Sequence, residues 1–188
     1  MRRSDSKLRK EMRNQALRRY REQRDRNRLA EPGIHQMALV LDHLKPGFSV
    51  PKIFRSAEAF GAHEIHMIDI GPFDPAAGKG AFKKVPAKFH DSFDSCFENL
   101  HERGYQLFTL DLGEGCQPLG EVALPEKSAF IFGHEEMGIS FDRSSYAGIE
   151  CLTIPQVGET QSLNVSVAAS IVMYEYCRQH GSKTAGNR

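Results

Sequence analysis

ECLTIPQVGETQSLNVSVAAS, residues 150–170, is the stretch that decides the fold of this chain. Residues 150–154 predict a buried strand, which runs into a polar loop. A long helix is predicted from Ser162 to about Arg178, with Ser162 as the candidate N-cap and with Asn164 unusually early in an apolar helix. Because this helix is apolar on nearly every side, one chain of this size can scarcely cover it. We therefore expect part of the helix to lie at a subunit interface.

Strands and helices alternate upstream of this stretch. Predicted strands cover 37–41, 64–70, 106–110 and 129–132, and predicted helices cover 51–60, 93–103 and 141–147, with a Gly- and Pro-rich loop at 71–80. Such alternation predicts an α/β fold with a mostly parallel sheet flanked by helices. Ligands of such sheets bind beyond the carboxyl ends of the strands. The loops after Leu110, Phe132 and Ile154 are therefore the candidate binding loops.

The first thirty residues have a different composition from the rest. Residues 1–28 contain twelve Lys or Arg and four Asp or Glu, a net charge of +8, whereas the whole chain carries +1. They predict a basic helix that ends at Glu31-Pro32-Gly33, and we divide the chain into a helical extension with linker (1–33) and a main domain (34–188). The extension has few apolar residues and should contribute little to the core. Its charge favours a polyanion partner, although a solvated, frayed arm is an alternative.

The cysteine pattern and the hydropathy bear on location and cofactors. Cys96, Cys116, Cys151 and Cys177 form no Cys-x-x-Cys pair, so neither a zinc knuckle nor a redox motif is indicated. We expect free thiols, no metal and a cytoplasmic protein. No apolar run approaches the roughly 20 residues of a membrane span. The N-terminus lacks the apolar core of a secretory signal, and its acidic residues argue against a mitochondrial transit peptide.

Two further segments are candidates for chemistry. IFRSAEAFGA, residues 53–62, places Arg55 in the middle of a helix, where a salt bridge to Glu58 or Glu64 is the structural alternative to a catalytic role. FIFGHEEMGIS, residues 130–140, runs from a buried strand into a turn that begins with Gly133. A glycine lets the backbone approach a ligand closely, although an ordinary turn is also compatible. The three-glycine dinucleotide fingerprint is absent.

Together these three segments resemble the SpoU/TrmH family of RNA ribose methyltransferases, over roughly residues 36–180. The resemblance implies a C-terminal trefoil knot, which is a rare exception to unknotted topology. It also implies a homodimer and bound S-adenosylmethionine. The residues matched to cofactor contacts are Leu110, Gly133, Ile154 and Leu163, together with Glu135, the acid of the second motif. The residues matched to catalytic and RNA-positioning roles are Arg55, Ser162 and Asn164.

The resemblance further implies methyl transfer to a ribose 2′-hydroxyl of RNA. We interpret Arg55 as a permanently charged clamp for phosphate and developing alkoxide rather than a base, because guanidinium stays protonated. The basic extension favours tRNA over rRNA as substrate. Six of its cations are the candidate RNA contacts: Arg9, Lys10, Arg13, Arg18, Arg19 and Arg21.

Two other functions remain open at this point. The segment Lys45-Pro46-Gly47-Phe48-Ser49-Val50-Pro51 lacks the Asn that family members often carry before the motif Arg. This departure motivates the first alternative, a non-catalytic RNA-binding relative with the same knotted fold. The second alternative is an unrelated nucleotide-binding α/β enzyme, which the absence of a glycine-rich phosphate loop opposes.

Overall fold

The computed structural model describes residues 2–113 and 115–181, with side chains from residue 6 onward. The four helices of this part are α1 (Arg2–Asn27), α2 (Ser49–Ala59), α3 (Phe93–Glu102) and α4 (Val165–His180). Its seven strands are β1 (His35–Asp42), β2 (Ala62–Ile68), β3 (Ala87–His90), β4 (Gln106–Leu110), β5 (Gln117–Pro118), β6 (Ser128–Phe132) and β7 (Ile149–Thr153). Short 3-10 turns lie at Pro75–Gly78, Ala81–Lys83, Leu119–Glu121 and Arg143–Ser145.

The seven strands form one parallel sheet in the order β3-β2-β1-β6-β4-β7-β5. This confirms the predicted α/β fold with a parallel sheet flanked by helices. Two strands were not predicted, because β3 (AKFH) and β5 (QP) are too short and too polar to give a strand pattern. The helix predicted at 141–147 is a single 3-10 turn, Arg143–Ser145.

Each face of the sheet is covered by a separate apolar cluster. Helices α2 and α4 cover one face, where Phe54, Phe130 and Tyr176 are fully buried. Helix α3 covers the other face through Phe93 and Cys96. The chain therefore has two apolar layers with the sheet between them, and the carboxyl ends of the strands are left for loops.

Helix α1 packs into the first cluster, so the expectation that it contributes little to the core is wrong. Tyr20 is 4% exposed and its ring lies 5.2 Å from that of Phe73 and 5.5 Å from that of Phe82. Arg19 donates to both carboxylate oxygens of Asp74 (3.0 and 2.6 Å), which lowers the pKa of that carboxyl.

The end of α1 is held by one buried side chain. The Asn27 amide nitrogen donates to the carbonyl oxygens of Phe82 and Val85 (2.5 and 2.7 Å), and its oxygen accepts from the amide of Ala87 (3.0 Å). Charge counting missed these contacts, because one aromatic and one amide side chain carry them.

Helix α4 begins later than predicted and is largely covered by its own chain. The side chain of Asn164, not that of Ser162, caps it by accepting from the amide of Ser166 (3.0 Å). Val172 and Met173 are fully buried within the chain, so the expectation that one chain can scarcely cover this helix is wrong for that face. Val167 (47% exposed) and Tyr174 (61% exposed) form a remaining exposed face.

The cysteines differ from the expectation of four free thiols. Cys116 and Cys151 form a disulfide, whereas Cys96 and Cys177 are free. The two bridged residues lie 35 positions apart, and their proximity depends on the pairing of β5 with β7. Among the helices of the described residues, none is both long enough and apolar enough to cross a membrane.

Candidate functional site

A cavity of about 860 Å³ opens at the carboxyl ends of the central strands. Three loops form it: the β4 loop (residues 111–116, with 114 outside the described residues), the β6 loop (133–140) and the β7 loop (154–164). They meet because β6, β4 and β7 are neighbours in the sheet, although the loops are far apart in sequence. This is the edge at which parallel α/β sheets bind their ligands.

The cavity brings together seven of the eight predicted catalytic and cofactor residues. Its lining includes all five candidate cofactor contacts (Leu110, Gly133, Glu135, Ile154 and Leu163) and two candidate catalytic residues (Ser162 and Asn164). Arg55 is the exception, because it is not among the residues that line the cavity. It lies on the exposed side of α2.

The structural alternative for Arg55, a salt bridge to a nearby Glu, is not observed in the described part of the chain. Glu58 is bonded to Lys84 Nζ (2.9 Å). Glu64 is buried beneath α3, where it is paired with His66, Lys88 and Arg103. An exposed guanidinium whose expected acids are engaged elsewhere is available to an external anion.

The β6 loop is a tight turn whose backbone closes on itself. His134 and Gly138 exchange both backbone hydrogen bonds (2.8 and 2.9 Å), and Gly138 has a φ of +74°. A Cβ on Gly133 would lie 2.4 Å from the Gly138 carbonyl carbon and 2.5 Å from the Ile139 nitrogen. The glycine is therefore required by the loop itself, in addition to any requirement of a ligand. The ring of His134 is structural, since its Nδ1 accepts from the amides of Glu136 and Met137 (3.1 and 3.3 Å).

A buried carboxylate that the sequence analysis did not single out anchors this loop. Asp42, fully buried at the end of β1, accepts from the amide and hydroxyl of Ser140 (2.6 and 2.8 Å) and contacts His43 Nδ1 (2.6 Å). Its place at the carboxyl end of a strand was the available signal. Lys45 Nζ also binds Glu136 (2.7 Å), which lowers the pKa of that carboxyl.

The β7 loop leads into α4 through Asn164, whose side chain has a structural task. Its oxygen accepts from both the amide and the hydroxyl of Ser166 (3.0 and 2.6 Å). Its nitrogen lies 3.4 Å from the hydroxyl of Ser49 at the start of α2. The carbonyl oxygen is therefore used by the helix, and the amide nitrogen is the part of Asn164 that can serve a substrate.

The β4 loop is held at both ends. Asp111 Oδ1 accepts from the amide of Leu112 (2.7 Å), and the disulfide attaches Cys116 to Cys151 in β7. Arg143, which the sequence analysis also missed, lines the cavity and points its guanidinium at Thr109 (3.4 Å). It lies beyond the end of the 130–140 segment, in the 3-10 turn Arg143–Ser145, so tertiary structure alone brings it to the cavity.

Fold and cavity together define a parallel α/β protein with a ligand site built from three loops at the carboxyl edge of its sheet. The sequence model of the SpoU rRNA Methylase family matches residues 36–174, and the chain belongs to that family. The predicted family is thereby confirmed, and so is the predicted cofactor, because SpoU methyltransferases use S-adenosylmethionine. The alternative of an unrelated nucleotide-binding enzyme is excluded.

Two relatives illustrate the substrates within the family. The chain is 30% identical over 147 residues to the tRNA (guanosine(18)-2′-O)-methyltransferase of Thermus thermophilus. The matched region covers 76% of this chain and 75% of the relative. It is 31% identical over 166 residues to the 23S rRNA (guanosine-2′-O-)-methyltransferase RlmB of Nitrosomonas europaea, covering 83% of this chain and 60% of the relative.

Two solved structures share the fold. One, described as giving insight into the 2-OH methylation of C/U34 on tRNA, has a TM-score of 0.69 at 29% identity and covers 79% of this chain and 99% of that chain. The other, the SpoU methyltransferase AviRb of Streptomyces viridochromogenes in complex with AdoMet, has a TM-score of 0.69 at 24% identity. It covers 80% of this chain and 60% of that chain.

Proposed function

We propose that this protein transfers a methyl group from S-adenosylmethionine to a ribose 2′-hydroxyl of RNA. One observation carries the proposal. Seven residues that the family resemblance assigns to the cofactor or to catalysis, scattered between positions 110 and 164, line a single cavity at the carboxyl edge of the sheet.

The lining of the cavity suits S-adenosylmethionine. Leu110, Ile154 and Leu163 offer apolar surface for a flat adenine ring, and the backbone of the three loops offers the polar groups that a nucleoside needs. The acids Glu135 and Asp111 offer acceptors for its hydroxyl and amino groups. When bound, the cofactor supplies a methyl group on a positively charged sulfur.

The residues of this chain would act by alignment. Ser162 and the amide nitrogen of Asn164 lie at the cavity, where they can hold the target nucleotide with its hydroxyl in line with the methyl group. Such alignment can supply up to roughly 7–11 kcal/mol in ideal cases. Arg55 stays charged, binds RNA phosphate and stabilises the developing alkoxide.

As the RNA substrate we propose tRNA in preference to rRNA. The basic helix α1 exposes five of its six candidate RNA contacts: Arg9, Lys10, Arg13, Arg18 and Arg21. Arg19 differs, because it is half-buried and both carboxylate oxygens of Asp74 bind its guanidinium. Arg18 stays exposed, with its Nε paired to Glu22 at the surface (2.9 Å). The five exposed cations bind phosphate without reading sequence, whereas the 2′-hydroxyl distinguishes RNA from DNA.

The test of the proposal is methyl transfer itself. The full chain is incubated with S-adenosylmethionine labelled in its methyl group and with total RNA, and the modified nucleotide is mapped. We expect label on a ribose 2′-oxygen, and on tRNA before rRNA. Label on a base would contradict the reaction, and label on rRNA alone would contradict the assignment of substrate.

The alternative is a non-catalytic RNA-binding relative, which the missing Asn before Arg55 motivated. Ser49, from that same segment, places its hydroxyl 3.4 Å from Asn164 Nδ2, so a polar side chain does occupy this side of the site. This contact supports an active enzyme. Binding of S-adenosylmethionine without transfer to any RNA would instead support the alternative.

The proposal includes a homodimer. Large apolar side chains are exposed on α4 and near the cavity: Val167, Tyr174, Phe48, Met137 and Val157. Exposed apolar patches of this kind mark protein interfaces. Sedimentation at micromolar concentration should give a dimer, and Tyr174→Glu should weaken it. Val172 and Met173 are unsuitable for this test because they are buried within one chain.

The trefoil knot is also part of the proposal. Helix α4 follows the β7 loop near one end of the sheet and packs against α2, with Ser170 and Ser56 hydroxyls 2.8 Å apart. This return path supports passage of the C-terminal chain through the loops of the cavity. A crystal structure with bound cofactor tests it, and a chain that passes outside the β6 loop would contradict it.

A cytoplasmic location completes the proposal, and its support is that the relatives are tRNA and rRNA methyltransferases. The disulfide between Cys116 and Cys151 would then meet reducing thiols. Rapid alkylation of intact cells followed by mass spectrometry tests this location: both cysteines should be recovered alkylated. Recovery of the bridged peptide would favour an oxidising compartment.

A further inference from the structure

Three side chains of metal-binding types meet at the lateral edge of the sheet formed by β3 and β2, away from the cavity at β6, β4 and β7. His66 lies in β2, His90 ends the edge strand β3, and Cys96 lies in α3, which covers these strands. One ligand atom from each lies within 4.8 Å of the others. His66 and Cys96 are fully buried, and His90 is half-buried.

The hydrogen bonds of His66 define which of its nitrogens carries the proton. Its Nε2 lies 2.9 Å from Oε1 of Glu64. Glu64 is ionised, because it is also bonded by Arg103 and by Lys88 Nζ (3.0 Å), so it can only accept. His66 therefore carries its proton on Nε2, and its Nδ1 presents a lone pair to His90.

The contact between His90 and Ser95 likewise defines which nitrogen of His90 carries the proton. The hydroxyl of Ser95 donates to the carbonyl oxygen of Ser92 (3.1 Å), so toward His90 Nδ1 (3.2 Å) it can only accept. His90 then carries its proton on Nδ1, and its Nε2 also presents a lone pair. These two lone pairs face each other at 2.9 Å between His66 Nδ1 and His90 Nε2.

Two facing lone pairs repel unless a cation binds both nitrogens. Tetrahedral bonds of about 2.0 Å place two ligand nitrogens roughly 3.3 Å apart, so the rings would move apart by a few tenths of an ångström on binding. We propose that this chain binds one zinc-like divalent metal ion through His66 Nδ1, His90 Nε2 and Cys96 Sγ, with water as the fourth ligand. Imidazole and thiolate are the ligands that Zn²⁺ prefers, at about 2.0–2.3 Å in tetrahedral geometry. Binding requires the thiolate, so the Cys96 proton is released to solvent.

The surroundings resemble the outer shell of known zinc sites. A metal-bound histidine usually donates its other N–H to a carboxylate or another oxygen, which fixes the ring and its tautomer. Glu64 does this for His66, and Ser95 does it for His90. Lys88 and Arg103 are both paired with Glu64, so Glu64 already neutralises part of their positive charge. The Cys96 thiolate would supply the negative charge that balances the metal.

The role we assign to the ion is structural. The edge strand β3 has four residues and pairs with β2 alone among the described strands. A metal shared by β2, β3 and α3 would fix this edge and the helix above it. Sequence spacing gave no sign of the site and led to the expectation of no metal, because the ligands come from three elements at positions 66, 90 and 96.

The test is cobalt spectroscopy on the untagged full chain after chelation. Co²⁺ substitutes for Zn²⁺ and reports thiolate ligation by a charge-transfer band in the near ultraviolet. We expect one Co²⁺ per chain, displaced by Zn²⁺, with a higher melting temperature in the presence of Zn²⁺. Cys96→Ser should lose the band, and His90→Gln, at a half-buried position, should weaken binding at least tenfold.

Matched controls separate the site from adventitious binding. Cys177→Ser removes the other free cysteine and His101→Gln removes an exposed histidine of α3, and both should bind Co²⁺ as the unmodified chain does. A folded chain without the band would overturn the proposal, as would equal binding by the His90→Gln variant. In either case the two histidines share a proton, with the Ser95 hydroxyl turned toward His90.

Discussion

At the scale of single residues, Gly133 shows how the site depends on a missing side chain. A Cβ there would lie 2.4 Å from the backbone at Gly138, so Gly133→Ala must open the β6 loop. We expect S-adenosylmethionine affinity measured by calorimetry to fall tenfold or more, about 1.4 kcal/mol. The control is Gly158→Ala in the β7 loop, where no described atom outside Gly158 and its two chain neighbours lies within 4 Å of the added Cβ. Equal affinity of both variants would remove Gly133 from the site.

The side chain of Asn164 has two roles: its oxygen caps α4, and its amide nitrogen is a candidate contact to the substrate. Two substitutions separate these roles. Asn164→Asp keeps an oxygen for the Ser166 amide but removes the N–H donor. It should keep the melting temperature and lose turnover. Asn164→Ala removes both, and should also lower the free energy of unfolding by about 0.5–2 kcal/mol. Full turnover by the Asp variant would limit Asn164 to capping.

Substitutions of Arg55 separate methyl transfer from cofactor binding, because Arg55 lies outside the cavity lining. Arg55→Ala should keep S-adenosylmethionine affinity and the fold but lose most methyl transfer. Arg55→Lys should restore little, since a point charge does not replace a planar guanidinium. Lys52→Ala, an exposed cation on the same helix, is the control. An Arg55→Ala enzyme with normal turnover would exclude both the clamp and the base.

At the scale of elements, helix α1 is a structural part of the domain as well as a charged surface. Tyr20 is buried between Phe73 and Phe82, and truncating a buried aromatic side chain costs about 3–5 kcal/mol. Tyr20→Ala should therefore lower the free energy of unfolding in urea by that amount. Leu8→Ala, at a 56% exposed position of the same helix, should change it by less than about 0.5 kcal/mol. Equal stabilities would mean that α1 is not docked in solution.

The docking of α1 also limits what a deletion can show. Removing residues 1–30 takes away Tyr20 and Asn27 together with the basic charge. The resulting loss of RNA binding would mix misfolding with electrostatics. Substitution of exposed cations is the cleaner experiment.

At the scale of the whole molecule, the charge distribution predicts how RNA binding responds to salt. Residues 1–28 carry +8 within a chain of +1, so the rest is acidic and repels a polyanion on average. Arg9→Gln combined with Arg13→Gln should weaken tRNA binding and flatten its salt dependence, because fewer counterions are released. The position of methylation should not change, since phosphate contacts do not specify sequence.

The control for this experiment carries the same change of charge elsewhere. Lys79→Gln combined with Lys127→Gln removes two cations of the main domain, one of them just before β6 at the edge opposite the cavity. We expect that variant to keep the salt slope of the unmodified chain. Coincident slopes for both double variants would mean that α1 does not bind the RNA.

The sequence by itself determined the fold class, the family and seven residues of the cavity. Hydrophobic periodicity is local, so strands such as 106–110 were predicted with their observed bounds. Gly133, Asn164 and their neighbours belong to contiguous motifs, and a motif identifies residues without requiring knowledge of where they meet. The short strands β3 and β5 escaped because pairing with a longer neighbour, not their own composition, makes them strands.

Tertiary structure alone decided the contacts between segments that are distant in sequence. It buried Tyr20, joined Cys116 to Cys151, anchored Ser140 on Asp42 and left Arg55 outside the cavity. It also brought His66, His90 and Cys96 together. The physical reason is that strand order and helix packing set these distances, and neither is encoded in the spacing of residues along the chain.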